Sequence, residues 1–115
     1  MLIDQGTKEF QAAEKAEAEL SVRRRSALAC ETAFHALVEL ADVLIEQASH
    51  APADTHDARV EALEDIGRQD LANTYHRAKD ALHIGGYYAQ RVGRLQADRL
   101  REISEVLERE LRKLS

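Results

Sequence analysis

Two sets of side chains in this 115-residue sequence have the types and spacing of metal ligands. The first set is His76, Asp80 and His83. The second set is Glu31, His35 and Glu39. Spacings of three and four residues place such side chains on one helix face, where imidazole and carboxylate groups can hold a divalent ion. Both sets fall on the polar sides of their predicted helices, so we expect solvated faces and neither a metal nor a cofactor.

The stretch LHIGGYYAQ, residues 82–90, is unusual in a chain built from helix formers. Inside a helix, Gly85 and Gly86 cost about 1 kcal/mol each relative to alanine. Such a cost indicates a close helix crossing, a kink, or approach of the backbone to a ligand. We interpret the pair as a close crossing against the acidic first helix. Tyr87 and Tyr88 then project to either side, which suits a subunit interface or a base-stacking platform.

Charge is spread unevenly along the chain. The net charge of −5 argues against strong non-specific binding to a nucleic-acid backbone. Residues 31–70 contain ten acidic and two basic residues, whereas residues 71–101 contain two acidic and six basic residues. The basic segment includes Arg77, Arg91 and Arg94. We interpret it as a solvated face that attracts an acidic face of a second subunit, with an anion or RNA surface as the alternative.

The elements that must position these residues are helices. One proline, few aromatic residues and 32 % charged residues favour a single all-α domain. An amphipathic helix is predicted over residues 26–48. Its apolar stripe is Phe34, Leu37, Ala41, Leu44 and Ala48. A short helix over residues 57–66 follows, with Asp54 or Thr55 as its cap and Gly67 at its end.

Two further helices complete the predicted bundle. The third is capped by Asp70 and continues to Ala89, and Gly93 marks its end. Its inward stripe is Leu71, Tyr75, Ala78, Leu82 and then Gly85 or Gly86. The fourth helix has the most regular stripe, which is Leu100, Ile103, Leu107, Leu111 and Leu114. Because short connections place neighbouring helices antiparallel, we predict an antiparallel four-helix bundle.

Residues 6–25 are predicted to be helical, since no breaker separates their alanine-rich sequence from the first amphipathic helix. A continuous helix would be roughly 65 Å long, too long for its own bundle to cover. We expect either a bend near Ser21 or an overhang packed on another chain. The basic run VRRRS, residues 22–26, is expected to be solvated or to contact acids of a second subunit. The chain is thus divided into a helical extension, 1–20, and a bundle domain, 21–115.

Cys30 is the only cysteine, which excludes an intrachain disulfide. We expect it to be a small buried apolar residue. The sequence contains no run of 18 apolar residues and does not begin with the pattern of a secretory signal. A cytoplasmic protein is therefore the expectation.

Two stretches of the sequence resemble small bacterial helical-bundle proteins of the HEPN superfamily, in particular a branch with a Leu-His-x-x-Gly-Tyr-Tyr stretch. The matching residues of the first stretch are Ala29, Cys30, Thr32, Ala33 and Phe34. Those of the second stretch are Leu82, His83, Gly86, Tyr87 and Tyr88. The resemblance spans residues 20–112, and Glu31 departs from it by standing where a glycine is expected.

The resemblance implies a homodimeric bundle. The superfamily includes ribonuclease toxins, nucleotide-binding modules and partners of minimal nucleotidyltransferases. Its ribonuclease motif is an arginine followed, after four to six residues, by a histidine, and Arg77 and His83 match it. In metal-independent RNA cleavage, His83 would move a proton and Arg77 would hold the phosphate. The two lie about 120° apart around an ideal helix, so they would need a kink or a dimer partner to converge.

These observations predict a non-catalytic binding or interaction module that is homodimeric and binds nucleotide, RNA, a nucleotidyltransferase or an antitoxin. The predicted binding or interface residues are Gly85, Gly86, Tyr87, Tyr88, Arg91 and Arg94. The alternative is a toxin-like metal-independent ribonuclease that uses Arg77 and His83.

Overall fold

The longest element of the computed structural model is helix α1, Leu2–Gln47. The structure describes residues 2–88 and 93–114, including their side chains except those of residues 2–6, 84 and 86–88. Helix α1 passes Ser21 without a break, so the predicted bend is absent and the N-terminal part of the helix overhangs. It also crosses the predicted domain boundary at residues 20 and 21 without interruption. The molecule is 72 Å long but only 27 Å and 19 Å across.

Among the described side chains of α1, those that contribute to the core lie in its C-terminal part. The buried side chains on this helix are Ala27, Cys30, Phe34, Leu37, Leu40, Ala41 and Ile45. The predicted stripe is confirmed at Phe34, Leu37 and Ala41, and so is the burial of Cys30. It is wrong at Ala48, because α1 ends at Gln47 and the chain turns there. Burial raises the pKa of the Cys30 thiol, which keeps it protonated.

Helix α2, His56–Asp65, begins and ends one residue before the predicted range of 57–66. The side chain of Thr55 caps it by accepting a hydrogen bond from the backbone N–H of Ala58, at 3.0 Å. Gly67 has a φ of 82°, in the left-handed region that a residue just past a helix end commonly occupies. Ala62 and Leu63 are the fully buried residues of this short helix.

Helix α3, Gln69–Ala78, carries the predicted inward stripe but not the predicted cap. Leu71, Tyr75 and Ala78 are buried. The N-cap position is held by Arg68, and no side chain caps the helix. Asp70 lies inside the first turn, where both its oxygens accept hydrogen bonds from the Arg68 guanidinium at 3.1 Å. The ion pair with Arg68 therefore replaces the predicted cap.

The helix predicted to continue to Ala89 changes its winding after Ala78. Residues Lys79–Tyr88 form a π-helical segment, which we call the π segment. A π-helix is rare, and two adjacent glycines weaken the competing α conformation. Leu82 and Gly85 are buried on this segment, and its most extensive helix contact is with α1. The segment that carries the two glycines therefore packs against the first helix, as predicted.

Helix α4, Arg94–Leu114, directly follows Gly93 and presents a different face from the predicted one. Its buried residues are Gln96, Ile103, Val106 and Glu110. Of the predicted stripe, Ile103 is buried, Leu100 and Leu107 are partly buried, and Leu111 and Leu114 are exposed. The C-terminal part of the predicted stripe is therefore wrong, because a carboxylate at position 110 occupies the inward position.

Glu110 is held inside by cations from two parts of the chain. Its side chain is 1 % exposed and accepts hydrogen bonds from Arg68 and, at 3.4 Å, from Lys113. Arg109 adds a weaker contact at 3.5 Å. The hydrogen bond from Arg68 lowers the pKa of Glu110 and that of Asp70. These carboxylates stabilise the fold above their unfolded pKa values, and that contribution is lost as the pH falls through the folded values.

Replacement of Glu110 by alanine should lower the free energy of unfolding by about 2–3 kcal/mol, since it removes one partner of a buried ion pair while Arg68 keeps some contact with water. Chemical denaturation would measure the change. The matched control is Glu108→Ala, which removes an exposed i,i+4 pair with Arg112 and should cost less than about 0.5 kcal/mol. Equal effects of the two substitutions would contradict this role of Glu110.

Candidate functional site

Two histidines, a tyrosine and a glutamate meet where α1, α2, α3 and the π segment converge. We call Glu31, Phe34, His56, Tyr75 and His83 the histidine cluster. Nδ1 of His83 donates a hydrogen bond to Oε2 of Glu31 at 2.9 Å. The ring of His83 stacks on Phe34 with centroids 4.9 Å apart and meets the ring of His56 edge-on at 5.4 Å. The cluster thus joins α1 to the π segment through both a polar and an aromatic contact.

His56 connects the cluster to α3. Its Nδ1 lies 2.6 Å from the Tyr75 hydroxyl. Burial lowers the pKa of His56, and the nearby charges of His83, Arg59 and Lys79 lower it further. Burial also raises the pKa of Tyr75, although Arg59 opposes this. A neutral imidazole and a protonated phenol follow, and the two groups share this hydrogen bond.

The outer edge of the cluster is an ion pair between α2 and α1. Nε of Arg59 donates to Oδ1 of Asp42 at 2.9 Å, and this hydrogen bond raises the pKa of Arg59. Lys79 pairs with Asp57 at 3.8 Å and lies near enough to His56 to lower its pKa. Cationic groups from α2 and from the π segment therefore flank a neutral histidine, which is the arrangement that disfavours its protonation.

Sequence reasoning missed this cluster. His56 lies in a polar stretch beside Pro52, and no local pattern distinguishes it from a solvated loop residue. His83 falls on the polar face of an α-helix by its spacing, and the π winding changes the residue's position around the axis. Tyr75 was predicted as an inward residue, but its hydroxyl needs a partner when buried. That requirement is the one signal in the sequence that could have indicated a polar group nearby.

Arg77 and His83 contact different helices within the chain. The Arg77 guanidinium donates to Oε1 of Glu102 on α4 at 2.7 Å, and Glu102 also pairs with Arg99. Burial raises the pKa of Glu102, but hydrogen bonds from Arg77 and Arg99 outweigh this, and the net shift is downward. His83 instead pairs with Glu31 on α1. The structure does not bring the two motif residues together through a shared hydrogen bond or ion pair between described residues.

The structure also separates the members of each of the two sets of potential metal ligands. Glu31 and His83 pair with each other. The remaining pairs are exposed, with His35 and Glu39 3.4 Å apart and His76 and Asp80 3.8 Å apart. Within residues 2–88 and 93–114, no group of three or more His, Cys, Asp or Glu side chains could hold a metal ion.

The remaining predicted interface residues fall near the end of the π segment. Gly85 is buried, and Arg94 is exposed at the start of α4 with Asp98 at 3.8 Å. Gly86, Tyr87 and Tyr88 lie on the described backbone of the π segment, but their side chains are outside the described set. Arg91 lies outside the described residues altogether.

A second candidate surface is the overhanging part of α1, residues 7–25, which we call the arm. Every residue of the arm is exposed except Ser21, which is partly exposed. Phe10 and Leu20 are 64 % and 65 % exposed, and Leu28, just beyond the arm, is 55 % exposed. A shallow groove runs along this helix face. It is lined by Ala13, Ala16, Leu20, Arg24, Arg25 and Leu28 among others.

No protein-family profile, curated protein or solved structure matches the chain. Among the described residues, no helix combines the length and the apolar character that a membrane span requires.

The histidine cluster should make stability depend on pH near neutrality. Because the folded pKa of His56 is lowered, the unfolded chain takes up a proton first on acidification, and stability falls as the pH drops below about 6.5. The His56→Gln variant keeps a hydrogen-bonding side chain beside Tyr75 but does not titrate. Its denaturation midpoint should therefore decline less than that of the wild type between pH 7.5 and pH 5.0.

The matched control for this comparison is His76→Gln. Because His76 is exposed, this substitution should leave the dependence of the denaturation midpoint on pH as it is in the wild type. His50 carries the opposite sign, because hydrogen bonds to the Ala51 carbonyl and to Asp65 raise its pKa. His50 is present in the wild type and in both variants, so its contribution to the pH dependence cancels in the comparison. Parallel profiles for His56→Gln and the wild type would show that His56 does not carry the dependence.

Proposed function

We propose that this chain is a non-catalytic interaction module that works as a homodimer, with the arm of α1 as its association surface. The observation that carries the proposal is the exposure of Phe10 and Leu20 on a helix that no other part of the described chain covers. Large apolar side chains concentrated on one helix face mark interaction sites. A second copy of the chain would bury that face, and no other partner would be needed.

The energetics of the arm support this proposal. The arm contains 19 residues, counted from 7 to 25, and none of its side chains is buried. Most helical stability in proteins comes from packing of an apolar face, and isolated helices near this length are marginal in water. Burial of side chains such as Phe10 and Leu20 contributes roughly 1.5–3 kcal/mol each. Association is thus the step that would give the arm the packing it lacks.

The contacts of Arg77 and His83 support a non-catalytic role. Each side chain already has a carboxylate partner, Glu102 for Arg77 and Glu31 for His83. These partners belong to two different helices, so the contacts tie α3 to α4 and the π segment to α1. These contacts give both residues a structural role in the packing of the bundle.

The finer fold assignment belongs to the same proposal. We infer an antiparallel four-helix arrangement of HEPN-like type, with the glycine and tyrosine stretch in the π segment. The basic segment that includes Arg77, Arg91 and Arg94 is the surface proposed for a nucleotide, RNA, nucleotidyltransferase or antitoxin partner. A single unpaired cysteine suits a reducing compartment, so a cytoplasmic location completes the proposal.

Light scattering at micromolar concentration tests the homodimer directly, with a mass of twice 12.9 kDa as the expected result. The Leu20→Glu variant replaces an apolar side chain by a charged one on each copy and should weaken dimerisation by about 100-fold or more, because the apolar contact is lost and two charged groups must leave water. The matched control is Val22→Glu, since Val22 is exposed on the opposite side of α1 and should dimerise like the wild type. A wild-type monomer mass would overturn the proposal.

The second candidate function is the metal-independent ribonuclease that uses Arg77 and His83. It is favoured by one observation, the Glu31 carboxylate that orients the His83 imidazole at 2.9 Å, as an acid–base histidine requires. A second subunit would have to bring the two residues together.

Cleavage of a labelled single-stranded RNA in EDTA distinguishes the two functions. The non-catalytic proposal expects no cleavage by folded wild-type protein. Cleavage that is lost in both Arg77→Ala and His83→Ala, and retained in the exposed-histidine control His76→Ala, would establish the ribonuclease instead. Arg77→Ala keeps the test decisive if loss of His83 unfolds the cluster, since the Arg77 side chain lies on the surface.

A further inference from the structure

We propose that the arms of two copies pair antiparallel, so that the arginine run of each arm lies beside the N-terminal end of the other arm and away from the second arginine run. This inference rests on the proposed homodimer and adds the orientation of its two subunits. It follows from the charges, the apolar face and the length of the arm.

The charges along the arm are separated by sign. Residues 7–19 carry four acids and two bases, so this part has a net charge of −2. Residues 20–25 carry three bases and no acid, so the part next to the bundle has a net charge of +3. The bases are consecutive, from Arg23 to Arg25, and all three are exposed. One arm therefore presents both a negative and a positive part, in that order.

The orientation of two such arms decides which charges meet. In a parallel pair in register, three arginines of one copy face three arginines of the other, and acidic residues face acidic residues. In an antiparallel pair centred near Ala16, the two arginine runs lie apart, and each faces residues 7–9 of the second copy. Arg23 then lies opposite Glu9 and Lys15 opposite Glu17, with Arg24 and Lys8 as the like-charge pair that remains. Charges that meet across paired helices interact appreciably when they lie within the Debye length, which is about 8–10 Å at physiological salt. Complementary charges across an interface fix register and disfavour the wrong arrangement.

The apolar face of the arm is continuous with the core face of α1. Positions 13, 20, 27 and 34 are seven residues apart, and the last two are the buried Ala27 and Phe34. Ala13 and Leu20 therefore extend the core stripe beyond the bundle. Ala13 and Ala16 are small, which lets a second backbone approach closely. The face that packs inside the bundle is the face left open on the arm.

The length of the arm also suits the antiparallel arrangement. The arm of 19 residues is about 28 Å long, which is enough for more than three turns of paired contact. With antiparallel pairing centred near Ala16, the bundles lie at opposite ends of the paired arms and do not compete for space. The tip of each arm then lies near Leu28 of the second copy, an apolar side chain that is otherwise 55 % exposed.

Electron-electron resonance distances between spin labels test the orientation. The labels are placed one at a time at Gln11→Cys, Ala18→Cys and Ala29→Cys, which are exposed positions on the side of α1 opposite Leu20. Because all three labels point away from the pairing face, differences between the distances report displacement along the helix axis. Wild-type protein controls for stray labelling, since its Cys30 is completely buried.

Antiparallel pairing predicts the shortest distance at Ala18, a slightly longer one at Gln11, and a distance about 20 Å longer than the Ala18 value at Ala29. Parallel pairing predicts three distances that agree within a few ångströms, and this result with a dimeric mass would overturn the orientation while the homodimer stands. A dimeric mass with no short distance at Ala18 would show that the arms do not pair and would also overturn the inference. A monomeric mass would overturn both the inference and the proposed function.

Discussion

The contact between α1 and the π segment is the interaction on which the rest of the structure depends. Leu82 and Gly85 are buried on the segment, and Phe34 of α1 is buried beneath the ring of His83. The hydrogen bond from His83 to Glu31 and the stacking of the His83 ring on Phe34 fix the register of this contact. Helices α2 and α4 pack on the unit that α1, α3 and the π segment form together.

Such a contact requires every buried polar group to be satisfied. No buried side-chain nitrogen or oxygen in the described part of the chain lacks a hydrogen-bond partner. The histidine cluster meets this requirement by keeping His56 neutral and by joining its Nδ1 to the Tyr75 hydroxyl in a hydrogen bond. Glu110 meets it differently, with a charged carboxylate held by Arg68. A fully satisfied polar network specifies one packing arrangement, whereas a half-satisfied one would be costlier than an apolar core.

The two parts of α1 have different energetic roles. From Ala27 onwards the helix is stabilised by tertiary packing in the bundle. Before that point the same helix carries the same kind of apolar face, with Leu20 and Ala13 in line with Ala27, and nothing in the described chain covers it. The extended shape of the molecule, 72 Å by 27 Å by 19 Å, follows from this difference. Association with a second copy would bury the apolar face of the arm, as the bundle already buries the apolar face of the rest of α1.

Local signals in the sequence determined the helices, a cap of α2 at Asp54 or Thr55, the Gly67 turn and most of the core of the first three helices, because caps and apolar periodicity act over a few residues. Only the tertiary structure decided the features that depend on distant partners. These are the π winding, the burial of His56 and His83, and the inward face of α4. The inward carboxylate of Glu110, for example, is stable only because Arg68 lies 42 residues away along the chain and beside it in space. Long-range ion pairs and ring contacts of this kind leave no periodic trace in the sequence, so they become visible only when the helices are packed.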